Sequence, residues 1–210
     1  MIIFLTLDNF EINDKFPSPV NKDEYWIRQR FNSPLRSRYT RSADRKIDYI
    51  QHAGIDLAPN PNAKDFNVYS IYNRKIVKIV KNGGDDHGLG NLIIIGHDIN
   101  NSKIYSLYAR LRKIRDGLKE GDYIKKGEII GEIGATGYGC NYWRIGEDGC
   151  DKLSRLDTYL HFEIKILSKL ESPLDAKCFV NNSFKNCYGY TPDNPEKYGY
   201  INPLKFLSSE

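Results

Sequence analysis

Thr158-Tyr159-Leu160-His161-Phe162-Glu163-Ile164 is the stretch whose reading decides the fold class. Apolar Leu160, Phe162 and Ile164 alternate with Tyr159, His161 and Glu163. That is the period of two a strand imposes, because successive side chains point to opposite faces of a sheet. The segment predicts a strand with a core-facing side and a second side carrying Tyr159, His161 and Glu163. Gln51-His52-Ala53-Gly54-Ile55-Asp56-Leu57-Ala58 adds another imidazole and a carboxylate. Gly54 weakens a helical reading of this segment and Pro59 closes it, so a strand-like bend holding His52 and Asp56 toward a common point is expected.

Outward from these two stretches the chain reads as short β-rich runs: Val68 to Lys81, Asn91 to His97, Lys103 to Leu111, Tyr123 to Ile124, Glu128 to Ile133 and Tyr159 to Leu167. Gly83-Gly84, Asn100-Asn101 and Gly121-Asp122 punctuate them. Asn91-Leu92-Ile93-Ile94-Ile95-Gly96 has the continuous apolar character of a strand buried on both faces. No helix long enough to organise a fold is predicted. The expected class is mainly β, an antiparallel sheet domain over residues 51–210 with insertions at 137–158 and 167–200, preceded by an irregular N-terminal arm over residues 1–50. Within the arm a short helix is expected around Glu24 to Arg30, and Phe16-Pro17 and Val20 are expected to pack on the domain's edge.

The composition, 40% hydrophobic and 28% charged over 210 residues, suits one soluble domain. It contains no apolar run near the roughly 18 residues of a membrane span. Arg28, Arg30, Arg36, Arg38, Arg41 and Arg45 crowd one stretch, although the net charge is only +4. They read as solvated surface arginines, or alternatively as attraction to a polyanion such as cell-wall polymer; no nucleic-acid fold signature accompanies them. Cys140 with Cys150 and Cys178 with Cys187 suggest two local disulfides and an oxidising compartment, and lack the spacing of a structural zinc site. The apolar start Met1-Ile2-Ile3-Phe4-Leu5-Thr6-Leu7 has no basic region ahead of it. A periplasmic or extracellular chain without its signal peptide is therefore expected.

Neutral imidazole and carboxylate suit zinc, whose catalytic sites keep three protein ligands and one open position. His52, Asp56 and His161 would be such a set. From spacing alone the pattern is loose, because a histidine hydrogen-bonded to a carboxylate produces it too. His87, in a Gly-Asp turn, and His97, near a strand end, read as turn or surface residues.

Six segments, in order, carry a resemblance: His52 to Ala58; Gly90 to Ile95; Tyr108-Ala109-Arg110-Leu111; Gly121 to Gly137; Leu160-His161-Phe162-Glu163; and Asn202-Pro203. Together they resemble the LytM-type peptidase M23 domain over about residues 50 to 166 plus the C-terminal Asn-Pro. The resemblance implies an antiparallel β fold with a groove over a zinc ion (Zn2+) held by His52, Asp56 and His161. It also implies peptidoglycan or another peptide as the partner. Gly121 to Gly137 resembles the hairpins of biotinyl and lipoyl carriers as well, but the Asp-Lys pair of those carriers is absent.

Two departures from the family pattern stand at the catalytic positions. Tyr159 replaces the first histidine of His-x-His, and Arg110 replaces the histidine of Tyr-x-His-Leu. Both can assist electrostatically, but neither is a good proton carrier at neutral pH. The expected function is a zinc-binding cell-wall protein with weak or lost endopeptidase activity. The alternatives are an active endopeptidase with an altered base, such as Glu163 or Asp157, and a non-catalytic regulator of another cell-wall hydrolase. Tyr142, Trp143 and Arg144, in the long loop between the first two cysteines, are expected to overhang the groove.

Overall fold

A computed structural model describes residues 16–36, 49–81, 89–99, 102–137, 158–166, 177–180, 183–186, 189–191 and 193–207. The strands, in chain order, begin with β1 (Tyr25–Gln29), β2 (Pro34–Arg36), β3 (Tyr49–His52), β4 (Ile55–Pro59) and β5 (Asn67–Tyr69). There follow β6 (Arg74–Val80), β7 (Leu92–Ile99), β8 (Ser102–Ala109), β9 (Leu111–Ile114), β10 (Tyr123–Ile124) and β11 (Ile129–Ile133). The last are β12 (Leu160–Ile166), β13 (Lys177–Val180), β14 (Ser183–Asn186), β15 (Tyr190–Thr191) and β16 (Tyr200–Ile201). The main sheet is eight-stranded in the order β1-β4-β12-β8-β7-β6-β10, with β16 also pairing β12. Smaller sheets are β5-β11-β9, β15-β3-β2 and the hairpin β13-β14, and the ladders are antiparallel. The mainly β, antiparallel expectation holds.

The core follows from the alternation. Leu160, Phe162 and Ile164 of β12 join Ile55, Ile93, Ile95, Tyr108, Val68, Ile130 and Ile133 in one buried cluster that unites the main sheet with the β5-β11-β9 sheet. Leu92 and Ile94 point the other way, into a second cluster with Val80, Leu89, Leu107 and Ala109, so β7 is indeed buried on both faces. Gly54 is required where the β3–β4 bend crosses β12, because a Cβ there would meet the Phe162 carbonyl oxygen at 2.3 Å. The N-terminal segment is tied in as expected: Phe16 and Val20 are buried, and the Phe16 ring stacks on Phe206 at 6.2 Å.

Several local expectations need correction. Glu24 to Arg30 is not a helix: Lys22–Glu24 is a single 3-10 turn and Tyr25–Gln29 is β1, paired with β4. The ladder to β4 decides this; along β1 Tyr25 is buried and Trp26 exposed, and the Tyr25 hydroxyl donates to the Asp65 carbonyl at 2.9 Å. The run Val68 to Lys81 breaks between β5 and β6, where Tyr108 Oη accepts the Ile71 N–H at 3.0 Å. The run Lys103 to Leu111 breaks at Arg110, which adopts φ 66°. His87 and both members of the Cys140–Cys150 pair lie outside the described residues, as do Tyr142, Trp143, Arg144, Asp157 and Cys187, while Cys178 is described only as part of the β13 backbone.

His97 is not a surface residue but 2% exposed, because β7 continues past it and Tyr72 covers its ring edge-on at 6.0 Å. Its Nε2 lies 2.7 Å from Ser106 Oγ, which itself donates to Tyr108 Oη at 3.1 Å. Burial pushes its pKa from 6.5 down to about 4, with the nearby Arg74 charge acting in the same direction and Asp98 opposing it. The unfolded chain therefore binds the extra proton first as the pH falls. Stability should be intact above about pH 6.5 and fall by up to about 3 kcal/mol as the pH drops toward about 4. Denaturant midpoints of wild type and His97→Gln across that window test this, and the variant should lose this part of the slope.

Candidate metal centre

The site is built on register. Asp56 of β4 pairs with Gln29 of β1 on one side and with His161 of β12 on the other, and His161 pairs in turn with Ala109 of β8. His52 ends β3, and its backbone is held by Asn32 and Ser33: the Asn32 N–H donates to the His52 carbonyl at 2.8 Å and the His52 N–H to the Ser33 carbonyl at 3.1 Å. His52, Asp56 and His161 are buried, and among the described residues they form the group whose side chains could hold a metal ion.

Three donor atoms converge. His161 Nδ1 lies 2.9 Å from Asp56 Oδ1, His52 Nε2 lies 3.2 Å from the same oxygen, and the two ring nitrogens are 3.1 Å apart. Tetrahedral zinc with bonds of about 2.0–2.2 Å would separate its ligand atoms by about 3.3 Å, close to this triangle. The remaining ring nitrogens are engaged elsewhere. His52 Nδ1 donates to the Arg30 carbonyl at 3.1 Å, and His161 Nε2 donates to Glu163 Oε1 at 2.8 Å. In neutral imidazoles these partners fix the tautomers so that both lone pairs face the Asp56 carboxylate, an arrangement that calls for a cation. The residues therefore fit a divalent metal such as zinc.

The electrostatics agree. Burial alone would raise the Asp56 pKa, but the His52 charge and hydrogen bonds from His161 and His52 hold it well below the usual carboxylate range. Burial works against a charge on His161, yet hydrogen bonds to Asp56 and Glu163 push it up to about 9. A proton and a metal are thus alternatives at the same Nδ1.

Glu163 is the supporting carboxylate. It is buried behind His161, and its Oε1 also accepts the Gly189 N–H at 2.6 Å. It stands on the far side of the ring from the donor triangle and so is not placed to act as a base there. Glu163→Gln is expected to weaken metal affinity about 10- to 100-fold, the usual effect of losing such a partner. Competition with a chromogenic chelator measures it, and an unchanged affinity would argue against the tautomer account.

Tyr159 and Arg110 meet beside the triangle. The Arg110 guanidinium carbon lies over the Tyr159 ring, 4.1 Å from its centroid, and that of Arg28 lies 4.5 Å from it. Arg110 is 2% exposed. Two contributors are not among the site residues expected from the sequence. Tyr190 of β15 pairs with His52 and sets its ring 5.5 Å from the imidazole, and the Gly189 carbonyl accepts the Ala53 N–H at 2.8 Å. Burial raises the Tyr190 pKa, as do the charges of Asp56 and Tyr159, while Arg110 and Arg28 oppose the rise, so its hydroxyl keeps its proton. Arg28 belongs to the stretch expected to be helical. Residues 189–191 extend the β15-β3-β2 sheet beside His52, and their Gly189 N–H reaches Glu163.

No curated protein matches the chain. Among solved structures, the fold is similar to the SpoIIQ-SpoIIIAH pore forming complex, with 18% identity, 92% of this chain and 91% of the other covered, and a TM-score of 0.52. It is also similar to the catalytic domain of the antimicrobial peptidase lysostaphin from Staphylococcus simulans, with 22% identity, coverage of 88% and 93%, and a TM-score of 0.50. At these identities the likeness is one of fold. The family model of peptidase family M23 matches residues 50–175, more than half of the sequence, and the His52–Asp56–His161 group lies inside that span. The chain therefore belongs to peptidase family M23.

Proposed function

We propose that the chain is a zinc-binding domain that acts outside the cytoplasm and engages peptidoglycan peptides, with hydrolysis weak or absent. The observation that carries this reading is the contrast within one site. The donor triangle is complete and its tautomers are fixed, while Tyr159 and Arg110 stand where proton carriers are expected.

His52 Nε2, Asp56 Oδ1 and His161 Nδ1 would hold the metal. When bound, zinc supplies a Lewis acid that polarises a carbonyl and lowers the pKa of water. Among the described residues, those beside the triangle add donors and no base. The Arg110 guanidinium has donors and no acceptor, the Tyr190 hydroxyl stays protonated, and Glu163 Oε1 serves His161 and Gly189. Such a site can orient and polarise a peptide, and among the described residues none is placed to take a proton from the attacking water. Family membership supports the peptide as partner. No helix among the described residues is long and apolar enough to cross a membrane, and the paired cysteines fit an oxidising compartment with local Cys140–Cys150 and Cys178–Cys187 disulfides.

The test is co-sedimentation of zinc-loaded protein with purified sacculi at physiological ionic strength, with release of soluble fragments followed in the same tubes. Binding that is lost in His52→Ala, with little fragment release, is expected. Failure to co-sediment removes the cell-wall reading, and rapid release by wild type removes the weak-hydrolysis reading.

A further inference from the structure

His52 and Asp56 sit on different strands, and one short turn joins the partners of those strands. Gln29, the last residue of β1, stands opposite Asp56, whereas Pro34, the first of β2, stands opposite Gln51, the neighbour of His52. Residues 30–33 therefore cross from the main sheet to the β15-β3-β2 sheet, spanning the same gap as the Ala53-Gly54 bend between β3 and β4. The turn grips His52 at three atoms. The Asn32 N–H donates to the His52 carbonyl at 2.8 Å, the His52 N–H to the Ser33 carbonyl at 3.1 Å, and His52 Nδ1 to the Arg30 carbonyl at 3.1 Å. A carbonyl only accepts, so the last bond requires the Nδ1–H tautomer and leaves the Nε2 lone pair toward Asp56. Ser33 holds that same Arg30 oxygen with its hydroxyl at 2.7 Å and its N–H at 3.3 Å. Asn32 is exposed and lies in the left-handed region at φ 57°. Asparagine tolerates that region, glycine enters it freely, and a β-branched residue is strained there. Position 32 thus acts through its backbone conformation.

We propose that residues 30–33 are the positioning element of the metal centre: they set the separation of His52 from Asp56 and present His52 as an Nε2 ligand. This rests on the zinc-binding reading above and adds a determinant that lies outside residues 50–175, the span matched by the family. The cause is the narrow tolerance of the donor triangle. His52 Nε2 lies 3.2 Å from Asp56 Oδ1, and a zinc site accepts deviations of only about 0.2 Å in its bonds. The Arg30 carbonyl sets the direction of the imidazole and its tautomer, the Ser33 hydroxyl holds that carbonyl in place, and the left-handed Asn32 brings the Arg30 and Ser33 carbonyls to bear on one residue. Losing a partner that orients a metal-ligating histidine usually lowers affinity about 10- to 100-fold.

The experiment measures the zinc affinity of the full-length protein by competition with a chromogenic chelator, together with the visible band of the cobalt(II)-loaded protein, which reports ligand number and geometry. Asn32→Val is expected to weaken zinc binding about 10- to 100-fold and to alter the cobalt band, while Asn32→Gly stays within about threefold of wild type and keeps its band. Ser33→Ala should weaken binding about two- to tenfold, the worth of one hydrogen bond, and Ser33→Thr, which keeps the hydroxyl, should restore it. Denaturant midpoints in chelator separate positioning from a role in folding alone. Asn32→Val that loses stability but keeps wild-type affinity and band overturns the proposal, and so does Asn32→Gly as weak as Asn32→Val. If Asn32→Val does not fold, the serine pair decides: unchanged affinity in Ser33→Ala, or Ser33→Thr as weak as Ser33→Ala, overturns it. Wild type that binds no zinc would remove the metal reading and this one together, whereas tight zinc binding untouched by all four substitutions would remove only the role of the turn.

Discussion

Tyr159→His combined with Arg110→His is expected to raise the rate of fragment release from peptidoglycan by about 10²- to 10⁴-fold over zinc-loaded wild type, the range contributed by a positioned proton carrier. Position 110 suits the exchange because its φ of 66° lies in the region where histidine is enriched relative to most side chains. An imidazole at position 159 would lie within reach of the Arg28 guanidinium, which sits 4.5 Å from the present ring centroid. That positive charge disfavours imidazolium and keeps the ring able to accept a proton. The single substitutions should each recover much less than the pair, because residues that act as a unit are not additive. A double variant that carries zinc, keeps the wild-type fold and remains as slow as wild type would sink the proposal that Tyr159 and Arg110 limit hydrolysis.

His161→Ala is expected to abolish stoichiometric zinc binding and to lower the stability of the metal-free protein by about 3–5 kcal/mol at pH 7. The second effect has its own cause. His161 lies between two carboxylates, 2.9 Å from Asp56 and 2.8 Å from Glu163, which are 2% and 1% exposed. Removing the imidazole leaves both charges buried with their shared partner gone. Denaturant unfolding in the presence of chelator measures the loss without any contribution from metal. An unchanged midpoint would mean that the carboxylates are not ionised against His161.

Much of this centre was legible because its parts sit on regular strands. The two-residue period around His161 separates core side from functional side without any other information, and Gly54 with Pro59 argues for the bend that brings His52 to Asp56. The rest depends on pairing between distant segments. Arg28 is marked in the sequence only as one of six crowded arginines: Tyr25–Gln29 shows no apolar–polar alternation that would exclude a short helix, and only the ladder to β4 decides it. Tyr190 belongs to a two-residue strand, too short for any periodicity, whose partner β3 lies in the first quarter of the chain. His97 reads as a surface residue because it stands near the end of an apolar run, yet β7 runs on to Ile99 and keeps the imidazole inside. In each case the sequence carries the residue and the third dimension supplies its neighbour.

The contact between Gly189 and Glu163 ties residues 189–191 to the candidate metal centre. Glu163 Oε1 serves the His161 ring and the Gly189 N–H together, while β15 docks on the strand that ends in His52. Occupancy of the centre and seating of the tail are therefore one linked equilibrium, and the linkage is reciprocal. Whatever cation steadies His161 and Glu163 also holds residues 189–191 down, and whatever force draws that segment away loosens the cation by the same free energy.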